Sequence, residues 1–530
     1  MRRVSQTKSP EKPWWLLARI VLPILGVVWL IQGAYAIHRD ALPRRTIALE
    51  AAGCHMPTTV LDPPAGQPIG TAIVFHGLSA NRRIMLYLAQ NLTNSGVRVY
   101  LPDLPGHGDN TDPFSFARAA DCAEAAVASL IRSGQIDPKT TVIVGHSMGA
   151  AIAIRLADHI PVAATIAISP APLVSPQRIP ANLLVLRGQF DIGIVRREAE
   201  AISNAAGINR DSPEDFAQNR AFRLESVAHA SHTSMLFDPV VLSESLEWIS
   251  QTLGSSLQRD STPAPTMFSL MHGFHSFAGC LTGSASGLLG ILVLFLPCVA
   301  IAGRIAAPPR EESESPLRPS RPLLLAEGAA CSLAAVFLLK LFVPLKFLHI
   351  YTGDYLASLL FIVGVLLLAL NWRATKSSWS PRMRQLIPAA FLGFATFLAL
   401  SAWLDWQFYD AWLNVPRWLR FAEILPATYV FYFAEEVVLG PVLQGKARAS
   451  RFAVFLGLRL EIWLVCLLAY YELGSGQMLI LLLVAFFAIT SILLRLATDA
   501  FRLRTGSPEA AALFGAILAS WFIAAVLPLT

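Results

Sequence analysis

The sequence predicts two unlike folds in one chain: an α/β domain with a mostly parallel sheet covered by helices on both faces, and an all-α polytopic transmembrane domain. Residues 40–260 have ordinary globular character, whereas residues 271–530 form a series of apolar blocks about 18 to 25 residues long, enough to cross a bilayer. Over 530 positions, 54% hydrophobic and 15% charged residues is too apolar for one soluble domain. Between the two parts lies GSSLQRDSTPAPT at 254–266, with the Ser, Thr and Pro content of a linker.

In chain order, the sequence divides into a tail at 1–13, a hydrophobic helix at 14–38, the α/β domain at 39–253, the linker at 254–270 and a membrane domain at 271–530. Basic residues Arg2, Arg3, Lys8 and Lys12 precede the first helix and make it an anchor with its amino end inside. Its rival is a cleaved signal peptide, since Ala34-Tyr35-Ala36 is a cleavage-type triplet behind an apolar run. Either reading exports the α/β domain to the extracellular or periplasmic side of a plasma membrane.

Eight further apolar blocks follow, at 278–303, 323–343, 355–371, 386–404, 421–443, 452–472, 478–497 and 511–528. With the first helix running outward, the inner loops hold Arg304, Arg310, Arg318, Arg321, Arg373, Lys376, Arg382, Arg384, Lys446, Arg448, Arg451, Arg502 and Arg504. The outer loops hold little beyond Lys346, Arg417 and Arg420. That asymmetry accounts for the net charge of +6 and implies no nucleic acid. Glu435 and Glu436 lie inside an apolar block at the same expected depth as Arg459 on the next, which predicts an ion pair, with Glu461 on another face.

Cys280, Cys298, Cys331 and Cys466 fall in apolar blocks and read as small core residues. Cys54 and Cys122 lie in the exported domain, where a disulfide is permitted. No cysteine or histidine spacing suggests a metal, and no cofactor is expected.

Within the α/β domain the runs TAIVFHG (71–77), VRVYLPD (97–103), TVIVG (141–145), VAATIAIS (162–169), NLLVLRG (182–188) and FRLESVA (222–228) alternate with helical stretches at 82–95, 117–133 and 196–206. This rhythm means parallel strands with crossover helices, whose sites form beyond the carboxyl ends of the strands. One of those ends carries Gly145-His146-Ser147-Met148-Gly149, where a strand turns sharply into a helix and presents the serine hydroxyl above the sheet. A serine hydroxyl is a poor nucleophile without a base and a group to orient that base. Asp191 follows the next-to-last strand, and His232, with His229 as runner-up, follows the last. The backbone N–H groups of Met148 and Leu78 are candidate oxyanion donors. His146, His107 and Asp103 read as bracing residues.

The stretches FHGLSANR, LPDLPGHGD, GHSMG, the Asp after the next-to-last strand and HTSMLFDP together resemble the alpha/beta-hydrolase superfamily, nearest its lysophospholipase and monoacylglycerol-lipase-like branch. The resemblance covers about residues 45–252. It implies the α/β hydrolase fold, Ser147 as nucleophile, Asp191 as acid, His232 as base, and the Leu78 and Met148 amides as oxyanion hole. One departure stands out: only PAPLVSPQRIPA separates Ser169 from the next strand, where lipases of that branch insert a cap. The site is therefore expected to be open, or covered by residues 207–220 or by the membrane domain.

The function expected is a membrane-anchored serine esterase acting on a small-molecule or lipid ester among membrane lipids. The alternatives are an acyltransferase using the same three residues, and a transporter or scaffold with an accessory hydrolase domain.

Overall fold

The computed structural model describes residues 13–172, 178–254, 267–305, 320–342, 346–379, 383–442 and 446–530. The tail at 1–12 and most of the linker lie outside them. The chain divides into two compact units. One comprises Ala36–Ser284, Leu404–Pro416 and Ala525–Thr530; the other comprises Met1–Tyr35, Ala285–Trp403 and Arg417–Ala524.

The first unit has the α/β hydrolase fold. Its strands are β1 (Arg44–Ala51), β2 (Cys54–Leu61), β3 (Gly70–Phe75), β4 (Val97–Pro102), β5 (Thr141–His146), β6 (Ala164–Ile168), β7 (Leu183–Phe190) and β8 (Phe222–Ser231). They form one sheet in the order β1-β2-β4-β3-β5-β6-β7-β8. β1 and β2 pair antiparallel with each other, β2 pairs antiparallel with β4, and the remaining pairs are parallel. The hairpin β1–β2 goes beyond the sequence reading. The half-exposed β1 carries a weaker signal than the buried runs of β3 and β5.

After α1 (Pro13–Asp40), helices α2 (Leu86–Asn94), α3 (Phe116–Arg132), α4 (Met148–His159), α5 (Gly193–Ala206), α6 (Pro213–Ala217) and α7 (Pro239–Leu253) connect or flank the strands. α3 shows how local sequence sets an element: Ser115 caps its first turn by accepting from Arg118 N–H, and its small buried stripe includes Ala119, Cys122, Ala123 and Ala126. Cys122 is joined to Cys54 at the start of β2 by a disulfide spanning 68 residues of sequence.

The second unit is helical. It holds most of α1, the part of α8 (Met267–Ile305) from Ala285 onward, α9 (Arg321–Lys340), α10 (Gly353–Leu370), α11 (Trp372–Ser378), α14 (Lys446–Tyr471), α15 (Met478–Leu482), α16 (Val484–Thr505), and all but the ends of α12 (Met383–Gln407), α13 (Val415–Leu439) and α17 (Pro508–Val526). Among the described residues, seven helices are long and apolar enough to cross a membrane: those at Ile20–Asp40, Thr282–Gly303, Arg321–Lys340, Gly353–Leu370, Met383–Gln407, Ala447–Tyr471 and Pro508–Val526. α13 and α16 are long but less apolar, because they carry charges. The expected block 478–497 is broken at Leu483, and its helix runs on to Thr505, so Arg502 and Arg504 are helical rather than loop residues.

Those charges meet. Glu435 pairs with Arg459 at 2.8 Å and with Arg495 at 3.2 Å. Glu436 is held by Arg502 at 2.6 Å, Arg451 at 3.2 Å and also Arg495; Asp499 pairs with Arg495 at 2.6 Å and with Arg451. Arg451 and Arg502, expected as loop charges, are thus buried network members, and buried Arg417 donates to the Ala524 carbonyl. A carboxylate taken from water into an apolar interior is tolerated only when paired and hydrogen-bonded, which these contacts provide. Glu461 lies on a different face, against Gly328 of α9. Cys331 and Cys466 are buried as expected, but Cys298 is exposed; the Cys280 side chain is outside the described set.

Two outcomes test this architecture. Replacing Cys54 and Cys122 together by Ala destabilises the α/β unit by about 4 kcal/mol, the loop-closure entropy of a crosslink of this span, read as a lowered urea midpoint for protease resistance. A double-mutant cycle of Glu435→Gln and Arg459→Met in thermal unfolding gives a coupling of about 1 kcal/mol or more; additive losses would deny the pair.

Candidate active site

The carboxyl ends of β3, β5, β6, β7 and β8 converge on one place, and each delivers one polar group. β5 ends at His146, and Ser147 follows at φ 55°, ψ −116°, a conformation that strains a non-glycine residue. The turn closes because its neighbours are glycines. A Cβ on Gly149 would lie 2.2 Å from the Phe75 carbonyl oxygen, and one on Gly145 would lie 2.1 Å from the Gly149 carbonyl oxygen. Ser147 N–H donates to the Ile168 carbonyl at 2.9 Å, which fixes the turn to β6.

His232 follows β8. Its Nε2 lies 3.0 Å from Ser147 Oγ and its Nδ1 lies 2.7 Å from Asp191 Oδ1. Asp191 follows β7 and is buried. Its other oxygen accepts from Ser169 Oγ at 2.6 Å and from Gly188 N–H at 2.8 Å. Burial raises the Asp191 pKa, but the bonds from His232 and Ser169 outweigh it, and the carboxyl titrates below its ordinary range. Asp191 is therefore a charged acceptor for the His232 Nδ1–H.

The structure thus brings together Ser147, Asp191 and His232. His229 is not part of this group: it is exposed, at φ 60°, its N–H donating to Gln189 Oε1 at 2.9 Å. Leu78 follows β3 and Met148 opens α4, where the helix dipole favours negative charge. The Ser169 hydroxyl was missed by sequence reasoning; its only signal was a serine immediately after a strand that ends beside β7.

His146, His107 and Asp103 hold neighbouring backbone or side chains, His107 through Nδ1, 2.8 Å from the Pro105 carbonyl oxygen, and through its ring against Phe114, and the buried His76 does the same. His146 Nε2 donates to the His232 carbonyl at 2.9 Å, and burial, aided by the nearby His232, lowers its pKa to about 3. His76 Nε2 accepts from Leu104 N–H at 3.0 Å, and burial lowers its pKa as well. Asp103 accepts from Arg82 N–H at 2.8 Å and from Asp109 N–H at 3.0 Å, and it pairs with the Arg82 guanidinium. Asp103, Asp109 and Asp410 lie close together, but the Arg82 guanidinium reaches all three, and a cation already occupies the position a metal would take.

Residues 207–220, expected as a possible cover, lie elsewhere. They form α6 and a bridge from Arg210 to Phe222, and Asn182 Nδ2 donates to the Phe216 carbonyl at 3.4 Å. Asn182 and Phe222 stand at the amino ends of β7 and β8, opposite the site. Residues 173–177 of the short connection after Ser169 lie outside the described set.

Similarity to known proteins extends over part of the chain. Residues 72–271 match the profile described as the alpha/beta hydrolase family. An uncharacterized protein of Mycobacterium tuberculosis is 30% identical over 152 residues, 28% of this chain and 52% of the relative. The lipase LipV of Mycobacterium tuberculosis is 34% identical over 116 residues, 21% of this chain and 42% of the relative. The chain therefore spans about half the length of the curated relatives it matches. Among solved structures, an esterase of Pyrococcus furiosus has TM-score 0.34 at 16% identity, covering 41% of this chain and 93% of that one. A serine hydrolase without lid from Xanthomonas campestris has TM-score 0.31 at 18% identity, covering 43% and 98%.

The buried histidines fix a pH response. Below the ordinary value of 6.5 an unfolded chain protonates His146, whereas the folded chain refuses the proton down to about pH 3. Stability of the α/β unit is therefore expected to fall as pH drops below 6.5, with His146 contributing a slope of up to about 1.4 kcal/mol per pH unit. Urea midpoints between pH 7 and pH 5 check this; His146→Gln should flatten the slope.

Proposed function

We propose that this chain is a membrane-anchored serine hydrolase cleaving carboxylic esters through an acyl-enzyme intermediate. Ser147 Oγ attacks the ester carbonyl while His232 Nε2 takes its proton. Asp191 holds the ring through Nδ1–H and stabilises the imidazolium that forms. The Leu78 and Met148 amides receive the oxyanion. Collapse breaks the ester C–O bond, His232 returns the proton to the departing alcohol, and water then repeats the cycle on the acyl-enzyme. The observation that carries this reading is the His232 ring bridging Ser147 at 3.0 Å and Asp191 at 2.7 Å.

The substrate class follows from attachment. Apolar helices at both sequence ends of the α/β unit tether it, which favours a lipid or other membrane-borne acyl ester. The Cys54–Cys122 disulfide favours an oxidising compartment, the extracellular or periplasmic side. A second reading has one observation in its favour: a cavity of about 490 Å³ inside the helical unit, lined by Phe431, Trp463, Phe487, Trp521 and Arg459. It suits helices that bind a lipid or cargo, with the hydrolase as accessory. Acyl transfer needs the same three residues and differs only in whether an alcohol replaces water.

A fluorophosphonate probe that cannot cross membranes, added to sealed right-side-out vesicles, is expected to label the wild type and leave Ser147→Ala unlabelled. Asp191→Asn should lower kcat on a short aryl ester by on the order of 10⁴. Labelling only after detergent treatment would reverse the assigned side; transport persisting in Ser147→Ala would favour the scaffold reading.

A further inference from the structure

The segment Leu404–Pro416 joins α12 to α13 in sequence, yet it folds with the α/β unit. It touches both loops that frame Ser147. On one side, Tyr409 Oη donates to the Ser79 carbonyl at 2.8 Å. Ser79 is the residue after Leu78, in the turn that follows β3, and it sits at φ 58°. That left-handed conformation costs a non-glycine residue about 1–3 kcal/mol and persists only where the surroundings impose it. The far end of the turn is fixed independently: Asn81 caps Arg83 N–H at 3.1 Å and Arg82 N–H is held by Asp103 at 2.8 Å.

On the other side, Phe408 stacks on Phe237, five residues after His232, with ring centroids 5.9 Å apart and planes inclined by 14°. Phe237 in turn stacks on Tyr87 at 6.1 Å. The segment is also anchored at several points. Arg83 donates to the Asp410 carboxylate and to the Asp405 carbonyl, and Arg44 donates to the Trp406 carbonyl at 2.6 Å. Asp405 accepts from Ala411 N–H at 2.7 Å, which closes the turn that presents Tyr409 and Asp410.

We infer that Leu404–Pro416 is a strap that completes the active site, and that Tyr409 is a positioning residue holding the oxyanion turn through the Ser79 carbonyl. This rests on the ester-hydrolase reading above. The Leu78 amide belongs to the same turn, two peptide units before the bond that Tyr409 grips. An oxyanion donor works only if it points at the developing charge before the reaction begins. Displacement of a reacting group by about 1 Å can cost on the order of a hundredfold in rate. The strap thus supplies that support from a distant part of the chain.

The test uses the full chain in nanodiscs, with a soluble short-chain aryl ester and the fluorophosphonate probe. Tyr409→Phe removes one hydroxyl and keeps the ring. It is expected to lower kcat, and the rate of probe attachment to Ser147, by about ten- to a hundredfold, with KM and the thermal midpoint unchanged. Arg83→Met, which loosens the strap at Asp405 and Asp410 while keeping the Tyr409 hydroxyl in the chain, is expected to show the same kcat-selective loss. Wild-type kcat in both variants overturns the inference while labelled Ser147 leaves the hydrolase reading standing. A kcat loss in both that merely tracks a lowered thermal midpoint also overturns it. A wild type that neither labels nor hydrolyses takes down both readings together.

Discussion

The α/β unit depends on one close approach: the backbone of Gly149 lies where a Cβ would be 2.2 Å from the Phe75 carbonyl oxygen. That approach lets α4 start directly over the end of β3, and it forces Ser147 into a positive φ with its hydroxyl facing out of the sheet. The energy stored there is held by the two neighbouring strands, β3 and β6, which are themselves paired across β5. A turn relaxed enough to tolerate a larger residue at 149 would also release the hydroxyl from its line with His232.

Charge is handled by the same logic in both units. Arg82 in the α/β unit and Arg495 in the helical unit are each buried and each gather several carboxylates. Arginine suits this position because its planar fork satisfies several acceptors at once and it does not shed its proton. In one unit the result locks the turns around the site, and in the other it joins α13, α14 and α16. The Asp410 carboxyl, buried and close to Asp103, is pushed up to about 7 despite Arg82 and Arg83 beside it. It is the least comfortable charge in its cluster.

What was legible in the sequence was whatever is local. Gly145 and Gly149 announce the serine turn, and Asp191 and His232 stand where strands end. Glu435 and Arg459 sit at equal depth on successive helices. What was not legible depends on side chains meeting across long separations. Tyr409 and Ser79 are 330 positions apart, and nothing in the aromatic stretch at 406–412 says which surface it will cover. The partners Arg495 and Asp499 required the rotation of α16 about its axis, which periodicity in an apolar helix fixes poorly. The polar stretch at 207–220 was one expected cover, but the bridge from Arg210 to Phe222 commits it to the amino ends of the strands.

The pairing of Leu529 with the PGHG loop has its own consequence. Leu529 N–H donates to the Gly106 carbonyl at 3.0 Å, and its carbonyl accepts from Phe114 N–H at 2.7 Å. This short stretch of backbone leaves the ribosome after α17, when every strand of the sheet has long since emerged. The α/β unit therefore cannot reach its final form in the order in which it is made. It waits, nearly complete, while the helices that follow it are made, first for Leu404–Pro416 and then for Leu529. A chain interrupted before Leu529 would leave Gly106 and Phe114 without these two backbone partners.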